Sequence, residues 1–164
     1  MLANRLAAFQ QPELVSFDRA QKIIQNEASD GGYCLVALDQ PSIVPNTNGM
    51  RPVDRVAASL VSFVGGGVQP ANRSKLEMFG PDAPLWRFKA ALSAMEDPEL
   101  ARTSAAGLYL IEVFPALALP ALGPSFGGRL RGPRYNPARR TFKAGDWRAV
   151  CEAVSAYASS IPCF

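Results

Sequence analysis

Tyr33-Cys34-Leu35-Val36-Ala37-Leu38-Asp39-Gln40-Pro41 and Leu108-Tyr109-Leu110-Ile111-Glu112-Val113-Phe114-Pro115 decide the fold. Each is an apolar run of strand length that meets a carboxylate and then a proline. A carboxylate set in a hydrophobic run is costly to bury unless something neutralises it, and a divalent cation or a basic substrate group is the usual remedy. Asp39 and Glu112 are therefore expected to share one site.

Working outward, Glu13 to Ser16 reads as a short strand. A helix follows, with Ala20, Ile23, Ile24 and Ala28 at helical spacing and a stop at Gly31-Gly32. Strand, helix and the strand at Tyr33 make a βαβ unit with a parallel pair and a right-handed crossover, and hence an α/β sheet. Pro41 to Gly49 is a loop leaving the carboxyl end of that strand, where open α/β sheets place their ligands. Pro52 suits a first helical position, and Val53, Val56, Ala57, Leu60 and Val61 supply an apolar face before Gly65 ends the helix.

Gly65-Gly66-Gly67 lacks the preceding strand and the following Gly-Lys-Ser/Thr of a phosphate loop, so it reads as a helix stop and a loop. Asn72-Arg73-Ser74-Lys75 adds two positive charges, either anion contacts or surface decoration. Asp82-Ala83-Pro84 caps a helix that carries Leu85, Phe88, Leu92 and Met95 on one side and Trp86 beside it. Leu108 to Phe114 is a central strand, and Pro115 to Leu122 a short helix or coil. Trp147, Val150, Cys151, Val154 and Tyr157 recur at helical spacing in a last helix.

Composition bounds the function. The 164 residues, 48% hydrophobic and 19% charged, fit one domain over 1–164 with a core of its own. Gly107 to Gly123 is broken by Glu112, Pro115 and Pro120, so it cannot span a membrane, and the N-terminal segment carries no secretory pattern. Cys34, Cys151 and Cys163 are too few and too scattered for a disulfide framework or a metal knuckle, which points to the cytoplasm. Histidine is absent, which excludes Ser-His and Cys-His catalysis and His-ligated zinc.

The net charge of +3 is unevenly spread. Between Phe126 and Arg148, Arg129, Arg131, Arg134, Arg139, Arg140, Lys143 and Arg148 face a single acid, Asp146, with Tyr135 and Phe142 interleaved. Such a stretch either follows a phosphate backbone or is a solvated loop.

Two carboxylates at the ends of neighbouring strands can hold magnesium or manganese, which activates water and steadies the leaving oxygen in phosphodiester cleavage. The structural alternative has Asp39 capping the following turn and Glu112 paired with an arginine such as Arg51 or Arg55. Asp54, in a helix first turn, is stabilised there by the helix dipole whatever else it does.

Five blocks in order resemble the predicted ribonuclease-H-like nucleases of domain of unknown function family 429. They are Ala37-Leu38-Asp39-Gln40-Pro41, Arg51-Pro52-Val53-Asp54-Arg55, Met78-Phe79-Gly80-Pro81-Asp82-Ala83-Pro84, Ile111-Glu112-Val113-Phe114-Pro115, and Arg134-Tyr135-Asn136-Pro137-Ala138 with Asp146-Trp147-Arg148. The resemblance implies a ribonuclease-H-like mixed sheet flanked by helices, with sheet-end acids binding divalent metal for attack on nucleic acid. On that resemblance Asp39 and Glu112 match the strand carboxylates, and Arg51 and Asp54 match an Arg-x-x-Asp block, with Asp54 a further ligand or the residue that orients Arg51. The family fold opens with an acid-bearing strand, yet no Asp or Glu precedes Glu13. The chain therefore reads as amino-terminally shortened, or takes the missing ligand from elsewhere, or is not a working nuclease. A sheet edge left open by a lost strand is expected to be covered in a homodimer.

Three functions follow as expectations. The first is a metal-dependent nuclease or phosphodiesterase with Asp39 and Glu112 on magnesium or manganese and Asp54 as auxiliary acid. Arg51, Arg73, Lys75, Arg134, Arg139, Arg140 and Lys143 would then hold phosphates. The second is a non-catalytic nucleotide or nucleic-acid binding module on the same fold, and the third an interaction protein whose acids are only structural.

Overall fold

The computed structural model describes residues 13–63, 67–126, 132–134 and 140–160. They form a mixed α/β protein whose strands, among the described residues, are β1 (Tyr33–Leu38) and β2 (Gly107–Glu112). The two pair in parallel, with Tyr33 opposite Gly107 and Leu38 opposite Glu112. Contacts divide the described residues into two compact units, one of residues 13–56 and 69–114, the other of 57–63, 67–68, 115–126, 132–134 and 140–160.

In the first unit, α1 (Phe17–Ala28) begins where the Ser16 hydroxyl accepts the Arg19 N–H at 3.3 Å, an ordinary N-cap. Glu13 to Ser16 is not a strand, so the expected βαβ unit does not form. Ser16 is committed to the cap, and Leu14 is fully exposed and pairs with no strand among the described residues. The parallel partner of β1 is instead β2, some seventy residues on. Alternation along β1 turns Cys34, Val36 and Leu38 to one face, where Val36 and Leu38 pack with Leu110 against Phe88 and Leu92. Phe17 of α1 meets Phe88 with ring centroids 4.8 Å apart.

α2 (Pro52–Phe63) starts with the expected proline, and Val61 of its expected apolar face is fully buried, but the rest of that face is not turned inward. Val53 and Val56 are exposed at 58% and 62%, while Asp54 is buried at 3%. The pairing of Asp54 with Arg51 rotates the helix so that the acid, not the valines, faces the protein. The expected stop at Gly65 lies outside the described residues.

α3 (Leu76–Phe79) leads to α4 (Pro84–Leu92), which buries Leu85, Phe88 and Leu92 as their spacing predicts. Its N-cap is Ala83, within the expected Asp82-Ala83-Pro84, without a side-chain cap hydrogen bond, and Ser93 ends it in the left-handed region at φ +50°. Met95 therefore lies beyond the helix and bridges to Tyr109 on the far side of β2, which makes β2 the inner strand. α5 (Pro98–Thr103) begins at Asp97, whose carboxylate accepts the N–H groups of Glu99 and Leu100, each at 2.9 Å. β2 stops at Glu112 rather than running on to Phe114.

In the second unit, α6 (Pro115–Leu122) and a 3-10 turn at Pro124–Phe126 precede α7 (Ala144–Ser160). Leu119, Phe126 and Val150 form its buried cluster, with Val154 packed against it. Trp147 and Tyr157, expected on the buried face of α7, are exposed. No helix among the described residues is long and apolar enough to cross a membrane.

Candidate functional site

Arg51 stands just before α2 and is 5% exposed. Its guanidinium lies between two carboxylates. Nε donates to Asp54 Oδ1 and Oδ2 at 3.1 Å each, and Nη2 donates to Asp54 Oδ1 at 2.6 Å and Glu112 Oε1 at 2.5 Å. Nη1 donates to Glu112 Oε2 and to the Ile43 carbonyl, each at 2.9 Å. One N–H on Nε and two on each Nη make up the side chain's donors, so none is left over.

The carboxylates are held from behind as well. The Ser42 amide donates to Glu112 Oε2 at 3.0 Å and the Ala71 amide to Asp54 Oδ2 at 3.3 Å. The clamp thus ties together the end of β2, the loop after β1, the start of α2 and the segment at Ala71. Burial alone would raise the Asp54 carboxyl, but the hydrogen bonds from Arg51 and the Ala71 amide outweigh it and hold the carboxyl below the usual range. The same hydrogen bonds, that to Glu112 foremost, hold the Arg51 guanidinium protonated more firmly than usual. Breaking a buried pair of this kind by removing one partner costs about 3–5 kcal/mol, because the remaining charge stays buried.

The expected pairing of Glu112 with an arginine is therefore met by Arg51, while Arg55 takes no part. Asp39 follows directly on the register pair of Leu38 and Glu112. It is exposed, caps no turn, and forms no hydrogen bond or ion pair with any described residue. Partial burial by its surroundings nudges its carboxyl upward. As arranged, the two acids do not fit a dication. Asp39 is free to take one, but Glu112 is bound to a guanidinium whose charge repels it. Among the described residues no group of three or more Asp, Glu or Cys side chains could hold a metal ion.

Beyond the clamp, Ser42 links it to a second polar cluster. The Lys89 ammonium on α4 donates to the Ser42 carbonyl at 2.5 Å, pairs with Glu96 at 2.8 Å, and lies 5.6 Å from the centre of the Trp86 ring. Arg73 is fixed onto the same loop: its amide donates to the Asn46 carbonyl at 3.0 Å and its Nε to the Val44 carbonyl at 2.9 Å. Its Nη1 and Nη2 have no partner among the described residues, and the side chain is exposed. Lys75, half-buried, forms no ion pair among the described residues. Ser42, Arg73, Trp86, Lys89 and Glu96 line a cavity of about 620 Å³.

Asp39, Arg51, Asp54, Arg73, Lys75 and Glu112 all belong to the first unit. Arg134, Arg140 and Lys143 belong to the second, where all three are exposed and free of ion pairs among the described residues. The Arg134 amide donates to Asp146 at 2.8 Å, and its carbonyl accepts the Lys143 amide at 2.8 Å. Arg129, Arg131 and Arg139 lie outside the described residues. Lys89 and Glu96 carry no sequence signal as site residues because each sits among helix-forming or loop residues with no motif around it, and Trp86 reads only as a neighbour of the apolar side of its helix. No protein-family model, curated protein or solved structure matches the chain.

Because the Asp54 carboxyl lies lower in the fold than the ordinary unfolded value of about 3.9, its contribution is complete above that pH and is lost as the pH falls through the folded value. Urea unfolding from pH 7 to pH 2 checks this. The parent loses stability steeply below about pH 4, whereas Asp54→Asn, already weaker at pH 7, loses less of what remains.

Proposed function

We propose that this chain is a nucleotide- or nucleic-acid-binding domain whose clamped acids are structural. The observation that carries the reading is Arg73. Its backbone and Nε are pinned to loop carbonyls, which leaves both terminal nitrogens available to a phosphate in a cavity that Arg73 helps to line. Lys75 adds a second charge two residues on, and the basic residues of the second unit offer a further surface for a phosphate backbone. The ribonuclease-H-like character of the α/β core belongs to the same proposal and is supported by the five sequence blocks. Cytoplasmic residence is supported by the cysteine usage.

Fluorescence anisotropy of a labelled single-stranded oligonucleotide over a salt series tests the reading. Binding weakens with salt, and Arg73→Ala lowers the slope of log K against log salt by about 0.7, the amount expected for one lost phosphate contact on a single strand. Binding that ignores both salt and Arg73→Ala overturns it.

A second reading, metal-dependent phosphodiester cleavage, keeps one observation in its favour: the Asp39 carboxylate has no partner among the described residues, and Asp39 follows the register pair of Leu38 and Glu112 at the carboxyl end of β1. Calorimetric titration with manganese decides between the two. The binding reading predicts no heat beyond dilution, whereas binding in the parent that Asp39→Asn and Glu112→Gln both abolish replaces it with the nuclease.

The homodimer is likewise a proposal, supported by the outer edge of β1. Gly32 and Leu38 accept from Gly107 and Val113, so Tyr33, Leu35 and Ala37 turn their backbone groups outward, and the strand carries no charge to guard that edge. Sedimentation over a concentration series should give a dimer mass that Leu35→Lys shifts to monomer. A monomer mass throughout sinks it.

A further inference from the structure

Resting on the nucleotide-binding reading, we propose that the cavity beside the clamp seats one whole nucleotide, with its base against Trp86 and its phosphate on Arg73. The volume of about 620 Å³ lies inside the range of small-ligand sites, roughly 300–1,000 Å³. Its lining is also mixed in the way a nucleotide requires. Phe79 and Trp86 give apolar and aromatic surface, Arg73 and Lys89 give positive charge, and Glu96 and Ser42 give polar groups able to meet the edge of a base.

These groups are held in place. Phe79 is buried in the cluster of Val44, Ala71 and Leu85, which fixes the apolar wall. The Trp86 indole N–H donates to the Gly80 carbonyl at 2.7 Å, so the ring plane is set by the backbone rather than free to turn. Gly80 is required at that point, since a Cβ there would fall 2.5 Å from the Leu76 carbonyl oxygen. Lys89 is anchored by the Ser42 carbonyl and Glu96, which holds its ammonium 5.6 Å from the centre of the indole. Glu96 Oε2 is held by Lys89, which leaves Oε1 to accept from an exocyclic amino group.

A surface that follows only a phosphate backbone needs none of this. Stacking on an aromatic ring is worth about 1–3 kcal/mol per base, which corresponds to a discrimination of at least several-fold between a nucleotide and its sugar phosphate. Lys89 reaches the clamp through Ser42, so the pocket wall and the buried ion pairs share one loop.

Calorimetric titration with adenosine 5′-monophosphate, ribose 5-phosphate and inorganic phosphate provides the test. The nucleotide should bind about tenfold more tightly than ribose 5-phosphate, Trp86→Ala should erase that difference, and Arg73→Ala should weaken every phosphate probe. Trp86→Phe keeps an aromatic face without the bond to Gly80 and should retain most of the preference, so a folding defect in the alanine variant is separable from loss of stacking. Equal affinity for the nucleotide and ribose 5-phosphate, with salt-dependent oligonucleotide binding intact, overturns the pocket and leaves the binding reading standing. Failure of every phosphate probe and of the oligonucleotide overturns both.

Discussion

One buried guanidinium organises the first unit. Arg51 is expensive to remove from water, and the cost is offset only because every donor it carries meets an oxygen: two carboxylates and one backbone carbonyl. The acids need it in turn, since Asp54 on an inward face of α2 and Glu112 at the end of β2 would otherwise be unneutralised. Each partner sits on a different segment, so the ion pairs fix where the chain goes after β1, where α2 begins and how it is rotated. Val53 and Val56 are turned to solvent as a consequence.

The same constraint extends to the surface. Ser42 gives its amide to Glu112 and its carbonyl to Lys89, so the loop after β1 is held from the interior on one side and from α4 on the other. Val44 and Asn46, a few residues on, receive Arg73. The arginine that faces outward is thereby placed by a loop whose position depends on the arginine that faces inward. Charge buried for structure and charge exposed for binding are parts of one hydrogen-bonded system.

The strands at Tyr33 and Leu108 were legible because long apolar runs bounded by prolines leave few other readings, and α4 was legible because Leu85, Phe88 and Leu92 keep helical spacing. Glu13 to Ser16 misled because four residues cannot distinguish a strand from an extended lead-in, and only the cap at Ser16 settles it. The face of α2 was legible at Val61, which is buried, but not in its first turns: hydrophobic periodicity assumes that apolar residues decide which side is buried, and there an ion pair does. At the site, the Arg-x-x-Asp spacing and the odd carboxylate in β2 both signalled buried charge. Whether that charge would meet an arginine or a metal depends on distances that no one-dimensional pattern carries. α5 could have been read from Asp97-Pro98, a capping acid followed by a first-turn proline.

The claim that the clamp is a cooperative structural unit is tested most directly by a double-mutant cycle between Arg51 and Glu112, using Arg51→Met, Glu112→Gln and the double variant in denaturant unfolding. Removing Arg51 leaves Glu112 without its pair, and removing Glu112 leaves Arg51 with Asp54 and a carbonyl only, so the two losses should overlap. The account predicts a coupling of about 2–3 kcal/mol, the upper part of the range for residues in one network. Losses that add to within about 0.5 kcal/mol, as distant sites do, would contradict it.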